Sequence, residues 1–202
     1  MTEIKFDYKK DYILEDETVL LRPLKTDDFK HLVNFSINEP EIWEFNIGGA
    51  NGEENLLKYI DNAINQRQAE KQYPFIIFDK RTNEYIGSTR FYNIDLEMKT
   101  IEVGYTWYGT KHQGTGINKN CKYLMFDFAF EKLGIERIGL GANSKNQRSI
   151  NAMKGVGCTE EGILRSRSFD QNGNRIDAII LSILKNEWNE TWKIKLEEKT
   201  IK

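Results

Sequence analysis

The feature that most constrains this chain is a change of period between Trp107 and Phe130, "WYGTKHQGTGINKNCKYLMFDFAF". The stretch begins as the end of a strand, turns through Gly114-Thr115-Gly116 and becomes an amphipathic helix. Cys121, Leu124, Met125, Phe128 and Ala129 share one face of that helix, which stops at Gly134. "ERIGLGAN" (136–143) then reads as a strand. A strand, a helix and a strand in succession most often form a right-handed parallel crossover. The chain is therefore expected to build a sheet containing a parallel pair.

The segments on either side are legible by the same logic. "ETVLLRPL" (17–24) reads as a strand stopped near Pro23. "TDDFKHLVNF" reads as a helix capped by Thr26, with Asp27 and Asp28 at its positive end. "EENLLKYIDNAINQRQAEK" is a second helix, striped by Leu56, Ile60, Ala63 and Ile64. Strands follow at 73–79, 84–94 and 99–109, the first two joined by a turn at Arg81–Asn83. Beyond the crossover come a short helix, "NQRSINAMKGVG", and two long strands flanking "QNGN" (171–174), where Asn172-Gly173 is a strong hairpin signal. "DAIILSILK" has the near-continuous apolar run of a strand buried on both faces. The tail reads as a helix with Trp188 and Trp192 one turn apart. The order is that of an α/β protein with a mixed sheet. It is read as one domain over 17–190, with an N-terminal extension (1–16) and a C-terminal helical tail (191–202).

A chain of 202 residues is long enough for one substantial core. Its net charge of −2 provides no broad basic field, so no nucleic-acid partner is expected. Cys121 and Cys158 stand far apart without a C-x-x-C, which suits a reducing cytoplasm rather than a disulfide scaffold. His31 and His112 are the only histidines, and no His/Cys cluster has zinc-ligand spacing, so no metal is expected. The start, "MTEIKFDYKKDY", lacks a signal-peptide apolar run. No stretch approaches the ~18 apolar residues that a membrane span needs, so no membrane is expected.

Glycines before a helix leave amides unpaired at the positive end of its dipole and let a phosphate approach the backbone. Gly-x-Gly alone does not separate that role from an ordinary strand-to-helix turn. G-x-x-x-x-G-K-[ST] is absent, because Ile117 and Asn118 follow Gly116, and G-x-G-x-x-G fails at Lys119. Read as Gln113-x-x-Gly116-x-Asn118, however, the segment resembles the Q/R-x-x-G-x-G/A signature of the GNAT superfamily of N-acetyltransferases. "IEVGYTWYG" is similar to that family's fourth strand. "NSKNQRSINAMKGVGC" is similar to its N-x-x-S helix and glycine turn. "EEGILRSRSFDQNGNRIDAIILSILKNEW" is similar to the final hairpin of its RimJ/RimL-like branch. The resemblance covers roughly residues 17–190.

That resemblance implies a single-domain fold with a mixed, largely antiparallel seven-stranded sheet flanked by helices. Its central parallel strands splay apart. It also implies acetyl-coenzyme A as cosubstrate and an amine acceptor: a protein N-terminus or a small amine such as a polyamine or aminoglycoside. By the same carry-over, Gln113, Gly114, Thr115, Gly116, Ile117 and Asn118 form the pyrophosphate loop. Asn118 stands where Gly or Ala is usual; it could crowd the phosphate, cap the helix or bond the ligand. Tyr105, Thr106 and Trp107 match the strand that pairs with the pantetheine arm, and a backbone N–H there would hold the thioester oxygen. Asn146 and Ser149 match the N-x-x-S positions near pantetheine and thiol; Ser149 could polarise the thiolate, hold pantetheine only, or cap a turn, and the second role is the favoured one.

Acetyl transfer to an amine needs a base, an oxyanion donor and stabilisation of the leaving thiolate. Glu102, 11 residues before Gln113, is the candidate base, against the alternative of an ordinary solvated strand glutamate. Alternation would place Glu102, Gly104 and Thr106 on one strand face, opposite Val103, Tyr105 and Trp107. Met153 stands where the family's acid is a tyrosine, four residues before Gly157. That gap leaves open a non-catalytic acyl-coenzyme A binder or sensor on the same fold. Trp43 and Phe45 are candidate acceptor-cleft residues, with packing as the alternative. Glu39, Glu41 and Glu44 form a candidate acidic rim. Cys121 and Cys158 read as core, His112 as an exposed loop histidine, and Arg165 and Arg167 as a solvated face. The apolar last strand and the tryptophan-bearing tail suggest a homodimer.

Overall fold

The alternating and continuous apolar runs form one eight-stranded sheet in the order β1-β2-β3-β4-β5-β6-β8-β7. The computed structural model describes residues 6–45, 49–170 and 173–200. The strands are β1 (Leu14–Glu15), β2 (Val19–Pro23), β3 (Gln72–Asp79), β4 (Glu84–Asp95), β5 (Thr100–Tyr108), β6 (Arg137–Asn143), β7 (Thr159–Phe169) and β8 (Arg175–Leu184). The helices are α1 (Phe29–Asn38), α2 (Glu53–Gln68), α3 (Ile117–Asp127), α4 (Gln147–Gly155), α5 (Lys185–Glu187) and α6 (Lys193–Lys199). Seven strands correspond to those expected. The eighth, β1, comes from the segment assigned to the N-terminal extension, where two residues pair antiparallel with Leu20 and Leu21. All strand pairs are antiparallel except β5 with β6, the pair joined by α3.

The sheet separates two apolar layers. On one side α3 and its wide last turn (Phe128–Lys132) cover Leu21, Phe75, Phe91, Ile101 and Ile138. On the other, α1 and α2 cover Ile76 and Trp107 with Leu32, Leu56 and Ile60. Fully burying a side chain of this size contributes about 1.5–3 kcal/mol, which holds the layers together. The stripe predicted for α2 is the buried one: Leu56, Ile60 and Ala63 are at most 1% exposed. Thr26 lies in a 3-10 turn ahead of α1 rather than acting as its cap; Asp28 accepts from Lys25 N and pairs with Arg22 at that end.

The C-terminal segment packs largely on its own chain. Trp188 is buried in its own chain's core, against Tyr123, Phe126 and Phe130. Trp192 closes over Gly157, where a Cβ would sit 2.5 Å from its ring. Trp188 is thus committed to its own core, while Trp192 stays half-buried. Large apolar residues left exposed include Ile163, Leu164 and Phe169 on edge strand β7, Leu184 at the end of β8 and Ile194 in α6. Of the predicted hairpin turn between β7 and β8, Asn172 lies outside the described residues. Among the described residues no helix is long and apolar enough to cross a membrane.

Candidate active site

The site begins where the two parallel strands part. β5 pairs with β6 only from Thr100 to Glu102, opposite Arg137 to Gly139. β6 continues along β8 as far as Asn143, but β5 leaves it. β5 also carries one residue more than β4 between the pairs Arg90–Gly104 and Ser88–Trp107. Tyr105 absorbs that residue at φ 51°, a β-bulge that bends the strand and re-aims its side chains. The alternation expected for this strand is therefore wrong past Gly104. Thr106 faces α3 and bonds Lys122, whereas Tyr105 meets Tyr92 edge-to-face on the side of Glu102. Trp107 packs into the α1–α2 layer against Trp43 and Phe35.

The gap between the strands holds a cavity of about 430 Å³. Val103–Trp107 form one wall and Leu140–Asn143 the other, with α3 and α4 across its ends. Of the predicted residues, Tyr105, Thr106, Trp107, Gln113, Gly114, Gly116, Asn118, Asn146, Ser149 and Phe45 line it. Four others do not. Trp43 is 1% exposed inside the second core, and the Ile117 side chain is buried in the first. Thr115 turns its hydroxyl to His112 O at 2.8 Å. Glu102 lies in a neighbouring cleft with Asn93, Asp95 and Arg137. There Glu102 Oε1 accepts from Asn93 Nδ2 at 3.2 Å. Burial first, and then the charge of Glu102, raise the pKa of the adjacent Tyr92 hydroxyl.

The loop is built from backbone that favours glycine. Gly114 and Gly116 have φ 74° and 94°, and open space surrounds the Cβ position of Gly114. Gly116 starts α3 with no side-chain cap, so no cap takes up the first amides of the helix. Gln113 ties the loop down: its Nε2 donates to Tyr108 O at 2.9 Å, and its Oε1 accepts from the Arg148 guanidinium. Asn118 neither caps α3 nor stands free; its Oδ1 accepts from the Tyr108 hydroxyl at 3.1 Å. Asn146 caps α4 by accepting from Ser149 N at 3.0 Å. Met153, in the α4 wall, offers no proton.

Lys119, Lys122 and Arg148 also line the cavity, and no described carboxylate does. A concave site with this charge and these glycines suits an anionic ligand, and the residues fit a pyrophosphate-bearing cosubstrate. Sequence reasoning missed all three cations. Lys122 carried a usable signal, since it lies one helical turn after Asn118 and so shares its face. His112 corrects another expectation: it is 4% exposed, with Nδ1 3.8 Å from Asp79 Oδ2. Burial lowers its pKa, which keeps the ring neutral at pH 7. Of the candidate acidic rim, Glu39 accepts from Thr110 N at 2.6 Å and Glu41 from the Thr110 hydroxyl at 3.1 Å.

The comparisons agree with this geometry. Residues 18–159 match the family model for an acetyltransferase (GNAT) domain. A Bacillus licheniformis protein, "Uncharacterized N-acetyltransferase p20", is 28% identical over 179 residues, covering 87% of this chain and 97% of its own length. A GCN5-related N-acetyltransferase from Brucella melitensis superposes with a TM-score of 0.86 at 21% identity, over 95% of this chain and 86% of that one. RimJ from Mycobacterium smegmatis, solved in complex with CoA-disulfide, gives 0.76 at 18% identity over 93% of each chain. The last two establish likeness of fold. With the family model spanning more than half of its length, the chain belongs to the GNAT family of N-acetyltransferases.

Proposed function

We propose that this protein transfers the acetyl group of acetyl-coenzyme A to a primary amine by direct attack. The observation that carries the reading is the cavity itself. It is lined by three cations, by Gly114 and Gly116 and by no described carboxylate, and it lies against a bulged strand. In this reading the loop and Arg148 hold the pyrophosphate. Asn146 and Ser149 flank the pantetheine arm, and a backbone N–H near Tyr105–Trp107 receives the thioester oxygen. Glu102 acts as base from the neighbouring cleft, at the last paired position before the strands part.

An α-amine, with a pKa of ~8, needs less help from a base than a lysine amine at ~10.4. That difference favours a protein N-terminal amine over a polyamine. Two free, buried cysteines suit action in a reducing cytoplasm. The exposed apolar residues of β7 support a homodimer. A second reading, an acyl-coenzyme A sensor, draws on Met153. Calorimetry decides first: coenzyme A should bind at one site, and Gly116→Val should abolish it. A chain that takes up no coenzyme A refutes both readings.

A further inference from the structure

Lys122 is 4% exposed, yet its side chain reaches the cavity wall. Its Nζ donates to Thr106 Oγ1 at 2.8 Å and, more weakly, to Thr89 Oγ1 at 3.4 Å. The two hydroxyls are bonded to each other at 2.8 Å, so they form a fixed cradle on the α3 side of the bulge. An ammonium has three N–H donors, and the threonines take two. No described carboxylate pairs with it; the titratable groups that act on it are the thiols of Cys121, on its own helix, and Cys158, just before β7. From β4 and β5 the hydroxyls of Thr89 and Thr106 accept from it. The remaining donor is left for the cavity. The wall there also contains Met153, which cannot give a proton.

We infer that Lys122 is the proton donor to the coenzyme A thiolate as it leaves. The inference rests on the acetyltransferase reading. The acceptor nitrogen, having given one proton to solvent, forms its bond to the thioester carbon and loses a second to the base. The carbon–sulfur bond breaks, sulfur takes the electron pair, and a proton passes from Nζ to sulfur. Lys122 is left neutral and regains a proton from solvent, to which the base returns its own. The products are an amide and a free thiol. Burial lowers the lysine to about 8, close to a thiol's ~8.5, so the transfer is nearly balanced in energy. Attack on the thioester by Lys122 itself would require a group to take its proton, and no described carboxylate is placed to do so.

The test compares wild type with Lys122→Met and Lys122→Arg, using acetyl-coenzyme A and an amine that wild type acetylates. Methionine removes the proton; arginine keeps the charge but does not release it. Both variants should lose about 10²–10⁴-fold in kcat, the range for a positioned acid, read at saturating acetyl-coenzyme A so that weaker binding of the cosubstrate does not enter it. The fall of wild-type kcat above pH 8 should disappear in both. A loss below about tenfold, a loss explained by weaker coenzyme binding, recovery of kcat by arginine, a persisting alkaline limb, or an acetyl adduct on Lys122 by intact mass would each overturn the assignment. Wild-type turnover with an unimpaired methionine variant refutes the lysine alone. Absence of wild-type turnover on any amine refutes the acetyltransferase reading together with it.

Discussion

Replacing Lys122 by methionine should make the fold more stable at neutral pH. Burial lowers the folded-state pKa of this lysine from 10.5 to about 8. The unfolded chain then binds more protons than the folded one between those values, so stability rises with pH across that window. Below pH 8 the cost of the buried charge is present in full. A shift of about 2.5 units corresponds to about 3 kcal/mol at pH 7, of which about 1 kcal/mol remains at pH 10. Methionine is long, unbranched and uncharged, and Thr89 and Thr106 keep each other as partners when the ammonium is gone. Urea unfolding of both proteins at pH 7 and pH 10 isolates the effect, because other titrating groups cancel in the difference. The stability advantage of the methionine variant should shrink by about 2 kcal/mol between the two values. An advantage that does not change with pH would refute the claim that Lys122 titrates from a desolvated position. A stability cost at the cavity wall is what a site selected for chemistry rather than packing would carry.

Three further perturbations follow from the site. Asn118→Ala leaves the buried Tyr108 hydroxyl without its acceptor and should cost about 1–3 kcal/mol in thermal or urea unfolding. Unchanged coenzyme A affinity in that variant would show that Asn118 neither crowds nor binds the phosphate. Arg148→Gln should weaken coenzyme A binding and flatten its dependence on salt, because one cation leaves the loop; calorimetry at two ionic strengths reads both effects. Glu102→Gln should flatten the rise of kcat/KM with pH, and an unaltered profile would remove Glu102 as the base.

How much of this was legible in the sequence varied with how local the cause was. The βαβ crossover, the stripe of α2 and the glycine turn were readable because each rests on a period or on a backbone conformation that favours glycine. β1 was not, since two residues are too short to show a period. The bulge was hidden because Tyr105 takes its positive φ with no glycine to mark it, and one extra residue was enough to turn Thr106 to the other face. His112 sits in a loop whose composition looks exposed; its burial depends on Asp79 and Glu84, some thirty residues earlier in the chain. Trp43 shows the converse case: its burial comes from Trp107 and Tyr59, brought together only by the sheet and α2. Lys122 lay at the margin of a helix face assigned from its apolar members, so its turn toward the cavity emerged only with the position of β5.

The central claim is tested most directly by following thiol release from acetyl-coenzyme A with purified protein and a panel of amines. The panel should span N-terminal peptides, polyamines and aminoglycosides, with the acetylated product identified by mass. The account predicts one thiol released per acetylated amine, confined to one acceptor class and lost in Gly116→Val. Tight coenzyme A binding without turnover on any amine would contradict it.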